Sequence, residues 1–131
     1  MKTEIYQEEG YKLMGAAFEV YNTQGFGMAE EIYQECLEIE LELRSFAFKP
    51  KQELKCFYKG RELKKRYIPD FVVFDGLLVE LKAVSQLLPE HEAQLINYMR
   101  ISRQPVGYLV NFGSKGGLEW KRFILSELIP N

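Results

Sequence analysis

The chain has 131 residues, 47% hydrophobic, 14% aromatic and 27% charged, with a formal net charge of −2. That size and balance predict one globular domain over residues 1–131 and exclude a disordered chain; no apolar run approaches the ~20 residues of a membrane span. The opening M-K-T-E-I-Y-Q-E-E-G lacks an apolar signal core, which predicts a cytoplasmic protein with no membrane partner, and Cys36 and Cys56, without C-x-x-C spacing, are expected as free thiols rather than cluster ligands.

Charge is unevenly distributed. Residues 1–48 carry ten acids and three bases, residues 49–66 eight bases and two acids, and residues 67–131 seven acids and six bases. The middle block, which includes Lys55, Lys59, Arg61, Lys64, Lys65 and Arg66, can hold a phosphate backbone although the whole chain is acidic. It also fits a solubilising hairpin tip.

In chain order, Tyr6, Leu13, Ala17 and Val20 predict a first helix over residues 4–22, closed by the turn N-T-Q-G-F-G. A second helix is expected from Met28 to about Arg44, where Ala29, Ile32, Tyr33, Cys36 and Leu37 keep a 3.6-residue period. Its second half, E-I-E-L-E-L, fits a strand equally well by alternation. Glu30 falls in the first turn of this helix, where the macrodipole favours negative charge.

After Pro50, residues 52–58 and 61–68 read as two strands around Lys59 and Gly60. They lead into a hairpin, Tyr67 to Phe74 and Leu77 to Leu81, turning at Asp75 and Gly76 and continuing a three-stranded antiparallel meander. The register of the hairpin follows from charge. A two-residue turn would place Glu80 and Lys82 on one face with Phe71 and Val73, burying unpaired charge at a cost of several kcal/mol, roughly. A three-residue loop with Gly76 left-handed instead sets Asp70 opposite Glu80. One face is then wholly apolar, and the other gathers Asp70, Glu80 and Lys82.

Two acids and a lysine on one sheet face suit a hard divalent cation with room for water and phosphate, the lysine orienting or deprotonating that water. The same pattern also fits a salt-bridged, solvated strand end. Pro89 opens a third helix to about Ser102, with His91, Gln94, Tyr98 and Ile101 on one stripe beside Leu95 and Met99. Its amide and phenol can reach the pocket of the acid-lysine strand, or form an amphipathic edge; His91 reads as a helix-start residue. Val106 to Phe112 is apolar enough to be buried on both sides, and Leu118 to Leu125 predicts a last strand. The loop G-S-K-G-G between them is not a phosphate loop, because no G-x-x-x-x-G-K-S/T pattern is present.

Three motifs now stand in order: Gly27, Glu30 and Tyr33 in G-M-A-E-E-I-Y; Pro69-Asp70 followed by Glu80-Leu81-Lys82; and H-E-A-Q through Tyr98, a Q-x-x-x-Y element. Together they resemble the PD-(D/E)xK nuclease superfamily, and within it the GxxExxY proteins. The resemblance spans roughly residues 10–125. It implies an α/β (α+β) fold with a restriction-endonuclease-like core of helix, three-stranded antiparallel meander, helix and strand, behind an extra N-terminal helix. It implies a nuclease using Mg²⁺ or Mn²⁺ to hydrolyse phosphodiester bonds of nucleic acid, DNA rather than RNA. Asp70, Glu80 and the Leu81 carbonyl would hold the metal, completed by Glu30 or by Glu19. Lys82 would position the water, and Gln94 and Tyr98 would hold phosphate. So small a domain grips a duplex more readily as a homodimer. The alternative is a non-catalytic nucleic-acid-binding or protein-interaction module on the same fold.

Overall fold

The computed structural model describes residues 5–129. Two helices come first, α1 (Gln7–Gln24) and α2 (Glu30–Leu43). Five strands follow, β1 (Phe48–Pro50), β2 (Leu54–Tyr58), β3 (Arg61–Tyr67), β4 (Phe71–Val73) and β5 (Leu77–Lys82). Then come α3 (Pro89–Ile101), β6 (Val106–Asn111), β7 (Glu119–Ile124) and a 3-10 turn at Ser126–Leu128. The expected start of the first helix at residue 4 lies outside the described residues. Among them, no helix is long and apolar enough to cross a membrane.

The main sheet has the order β1-β4-β5-β6-β7. Strands β1, β4 and β5 pair antiparallel, α3 carries the chain from β5 to the parallel β6, and β7 returns antiparallel. Helices α1 and α2 cover one face, where Leu13, Ala17, Tyr33, Leu37 and Leu41 meet Phe71, Val79, Leu81, Val110 and Phe112. On the other face α3 places Leu95 and Met99 over Leu78 and Leu109. This mixed α and β arrangement matches the restriction-endonuclease-like core expected from the sequence.

Three details correct an expectation or close an open alternative. The strands at residues 52–58 and 61–68 do not continue the meander: β2 and β3 form a separate two-stranded ribbon, packed on the α3 side through Cys56 and Tyr67. The third antiparallel strand of the sheet is β1, three residues ending in Pro50, too short to show periodicity. A proline suits this place because an edge strand has one side with no ladder to complete. Second, residues 38–43 are helical throughout. Tyr33, Leu37 and Leu41, one turn apart, are fully buried, whereas Ile39 and Leu43, which a strand would bury with Leu41, are 56% and 74% exposed.

Third, the β4–β5 turn has the expected register, Phe71 opposite Val79 and Val73 opposite Leu77, but Gly76 is not left-handed. Phe74 and Asp75 take positive φ instead, 53° and 61°. Gly76 serves close approach: the Tyr6 ring occupies the space that a Cβ there would need. Asp70, one position before the paired stretch, therefore comes level with Glu80.

Candidate active site

Strand β5 alternates between two environments. Leu77, Val79 and Leu81 enter the core under α1 and α2, while Glu80 and Lys82 turn to the opposite face. Asp70 closes on this strand in both directions. Its backbone N–H donates to Glu80 Oε1 at 2.8 Å, and its Oδ2 accepts the Leu81 N–H at 2.7 Å. The N–H and carbonyl of one strand residue leave on the same side, so the Leu81 carbonyl also faces away from β6. The next carbonyl, that of Lys82, points the other way and accepts from Phe112 N at 2.8 Å.

Glu30 reaches this place through the local structure of its own motif. The Tyr33 ring is fully buried and stacked on Phe112, centroids 4.8 Å apart. Its hydroxyl donates to Gly25 O at 2.6 Å and accepts from Met28 N at 3.2 Å. Gly27, at φ 102°, makes the turn between them that a side chain would strain. The loop so fixed makes Glu30 the first residue of α2. Glu30 lines a cleft of about 190 Å³ with Glu31, Gln34, Lys51 and Asp70. Glu19, the other candidate, is exposed on α1 and accepts a hydrogen bond from Thr23 at 3.1 Å.

The electrostatics mark a cluster short of positive charge. Burial, reinforced by the Asp70 charge, pushes the Glu80 carboxyl up to about 7, against the pull of the Asp70 N–H, Lys82 and the Tyr67 hydroxyl. Glu30 is raised for the same two reasons, burial first and then Asp70, with Lys82 and Lys51 opposing. Lys51 Nζ lies 2.6 Å from Asp70 Oδ1. Burial works against its ammonium, but the hydrogen bond to Asp70 and the charges of Asp70, Glu80 and Glu30 prevail and raise its pKa. Sequence reasoning missed this role of Lys51; the basic block contains the residue, but the pairing bridges 19 positions.

A second cleft, about 410 Å³, is lined by Glu80 together with Lys82, Gln94, Tyr98, Lys65, Arg66 and others. Gln94 and Tyr98 thus share a cavity with Glu80 and Lys82. The Tyr98 ring stacks on Tyr67 at 4.2 Å and 7°. Burial and then the Glu80 charge raise the Tyr67 phenol, and its buried hydroxyl closes no well-formed hydrogen bond among the described residues. His91 stands apart, its Nδ1 accepting Leu88 N at 2.9 Å at the start of α3. The larger cavity of about 670 Å³, between α1 and the Tyr108–Trp120 region, is lined by no carboxylate among the described residues.

The β2–β3 ribbon carries the basic block. Lys55, Lys59, Arg61, Lys64 and Lys65 are exposed and Arg66 is half-buried. Glu62 pairs with Arg66 at 3.0 Å and Lys55 at 3.7 Å, and Lys59 lies 5.5 Å from the Tyr58 ring at the tip. Lys65 and Arg66 carry this charge to the cleft of Glu80 and Lys82.

The donors fit a divalent cation in kind: three carboxylates and a main-chain carbonyl are hard oxygen ligands, and two of the carboxyls are raised by burial and by the Asp70 charge. Among the described residues, however, no three acidic, histidine or cysteine side chains already stand as a metal-ligating group. Both Asp70 oxygens are engaged, by Lys51 and by Leu81.

The crystal structure of SSO0001 is similar over 72% of this chain and 48% of that one, at a TM-score of 0.57 and 18% identity. The chain thus spans about half the length of that structure, and the likeness is one of fold. LHK-Exo, an alkaline exonuclease from Laribacter hongkongensis, is similar over 82% of this chain and 75% of that one, at a TM-score of 0.43 and 13% identity. No curated protein matches. The sequence model of one family covers residues 7–123, taking in all the clustered acids and both clefts, and by that match the chain belongs to the PD-(D/E)XK nuclease superfamily.

Proposed function

We propose that this chain is a single-domain, divalent-metal-dependent phosphodiesterase that cleaves nucleic acid, DNA in preference to RNA. The observation that carries the reading is the hydrogen bond that joins Asp70 to Glu80, with Glu30 in the cleft of Asp70 and Lys82 in the neighbouring cleft of Glu80, in a member of a nuclease superfamily.

In this reading Asp70, Glu80 and the Leu81 carbonyl hold Mg²⁺ or Mn²⁺, with Glu30 completing the set. Such an ion supplies the positive charge that the phosphate and the attacking water require. Lys82, tied to no carboxylate among the described residues, orients the water and takes up its proton or steadies negative charge as it develops. Gln94 and Tyr98 hold a phosphate oxygen from the α3 wall, Tyr98 kept in place by its stack on Tyr67. Lys55, Lys59, Arg61, Lys64, Lys65 and Arg66 bind the phosphate backbone along the ribbon and its approach to the cleft.

The test is cleavage of plasmid and linear DNA, and of RNA, with Mg²⁺ or Mn²⁺. Asp70→Ala and Lys82→Ala are expected to abolish it, and a chelator to do the same. Cleavage that survives both substitutions refutes the site. The engagement of both Asp70 oxygens favours a second reading, a nucleic-acid-binding module without turnover. Under it, calorimetry shows no Mn²⁺ binding that depends on Glu80, while nucleic acid binds with a steep salt dependence.

A further inference from the structure

Asp70 is held at three further points, one of them a backbone bond that extends the β1–β4 ladder by one residue. Gln34 Nε2 on α2 donates to its carbonyl at 3.2 Å, the Lys51 N–H donates to the same carbonyl at 3.1 Å, and Lys51 Nζ sits 2.6 Å from Oδ1. Lys51 follows β1 directly and takes a left-handed backbone, φ 53°. Its main chain is fixed against Asp70 while its side chain remains 59% exposed, against 14% for Asp70. The stem can therefore swing into solvent without moving the loop. Lys82, the other ammonium of the site, makes no comparable ion pair among the described residues.

We propose that Lys51 is a resident cation. In the metal-free protein it occupies Oδ1 of Asp70, and a divalent ion binding there must displace it. This rests on the metal-centre reading above. Three acids in a half-buried cluster repel one another, and Lys51 offsets part of that repulsion when no metal is present. Because Asp70 is tied to Glu80 and Leu81 independently of Lys51, the ammonium competes for the site without assembling it, and so sets the metal concentration at which the site loads. A partly exposed lysine–carboxylate pair is weak, so this competition amounts to a few-fold in affinity rather than orders of magnitude. Displacement leaves the ammonium tethered at the mouth of the cleft, facing whatever anion arrives there.

The experiment is calorimetric titration of the full chain with Mn²⁺ after chelator treatment, comparing wild type with Lys51→Met, Lys51→Arg and Lys49→Met. Lys51→Met is expected to bind Mn²⁺ about fivefold more tightly, while Lys51→Arg, which keeps a cation on Asp70, stays near wild type. Lys49 is exposed in the same basic block without contacting Asp70, and its loss reports only the general field; it is expected to change affinity less than about twofold. A direct readout accompanies these: side-chain NMR of the lysine Cε and Nζ groups, in which the Lys51 signals move to the position of a free lysine as Mg²⁺ is added. Equal affinities for Lys51→Met and Lys49→Met, or Lys51 signals that do not move while the metal binds, overturn the proposal and leave the metal centre standing. Absence of Mn²⁺ binding in every protein overturns the metal-centre reading and this proposal with it.

Discussion

Replacing Glu80 by glutamine tests the charge shortage of the site without any reference to catalysis. The folded carboxyl sits near 7, against 4.5 for an unperturbed glutamate, so between those values the native protein holds a proton that the unfolded chain has lost. The native state binds more protons, and stability therefore falls as pH rises through this window, reaching its full penalty above 7. The displacement from 4.5 to about 7 corresponds to about 3 kcal/mol. Glutamine has the same shape, keeps an oxygen to accept the Asp70 N–H and carries no charge at any pH. Urea denaturation in chelator from about pH 5 to about pH 8 is expected to show Glu80→Gln gaining about 3 kcal/mol on wild type across the range. Subtracting one protein from the other removes the other titrating groups. A difference between the two that does not vary with pH would mean that Glu80 is not buried against Asp70, and the reasoning fails.

Asn111→Ala is expected to cost about 3 kcal/mol in urea denaturation, because the buried amide accepts from Val84 N and Gly113 N and donates to Val84 O and Glu119. Tyr67→Phe removes a buried hydroxyl with no well-formed partner, and should leave the metal-free protein as stable or up to about 1 kcal/mol more stable by the same assay. Replacing Lys64 and Lys65 together by alanine should reduce the slope of log K against log salt for duplex binding by about 2, measured by fluorescence anisotropy.

The part of the molecule most open to sequence reading was the β4–β5 hairpin. Its register followed from the cost of burying Glu80 and Lys82, a local argument that needs no knowledge of distant residues. The helical assignment of α3 and the two-sided burial of β6 were legible for the same reason, through periodicity and composition. What sequence could not show was pairing over long separations. Strand β1 exists because Phe48, Lys49 and Pro50 find Val73, Val72 and Phe71 across more than twenty positions, and no pattern in three residues announces that. The β2–β3 ribbon has the same alternation whether it extends the sheet or leaves it. At the site, Asp70, Glu80 and Lys82 could be grouped because one hairpin carries them. The Lys51–Asp70 pair and the Tyr67–Tyr98 stack join separate elements and left no mark in the local pattern.

Tyr33 gives the chain a lever between its interior and its acidic cluster. The flat of its ring rests on Phe112, the residue just past the end of β6, and its oxygen grips both sides of the bend from which Glu30 departs. A change of volume at Phe112, more than eighty residues downstream of that bend, is transmitted to the starting point of the helix that aims Glu30. Variants that repack the interior there will therefore move a carboxylate they never touch.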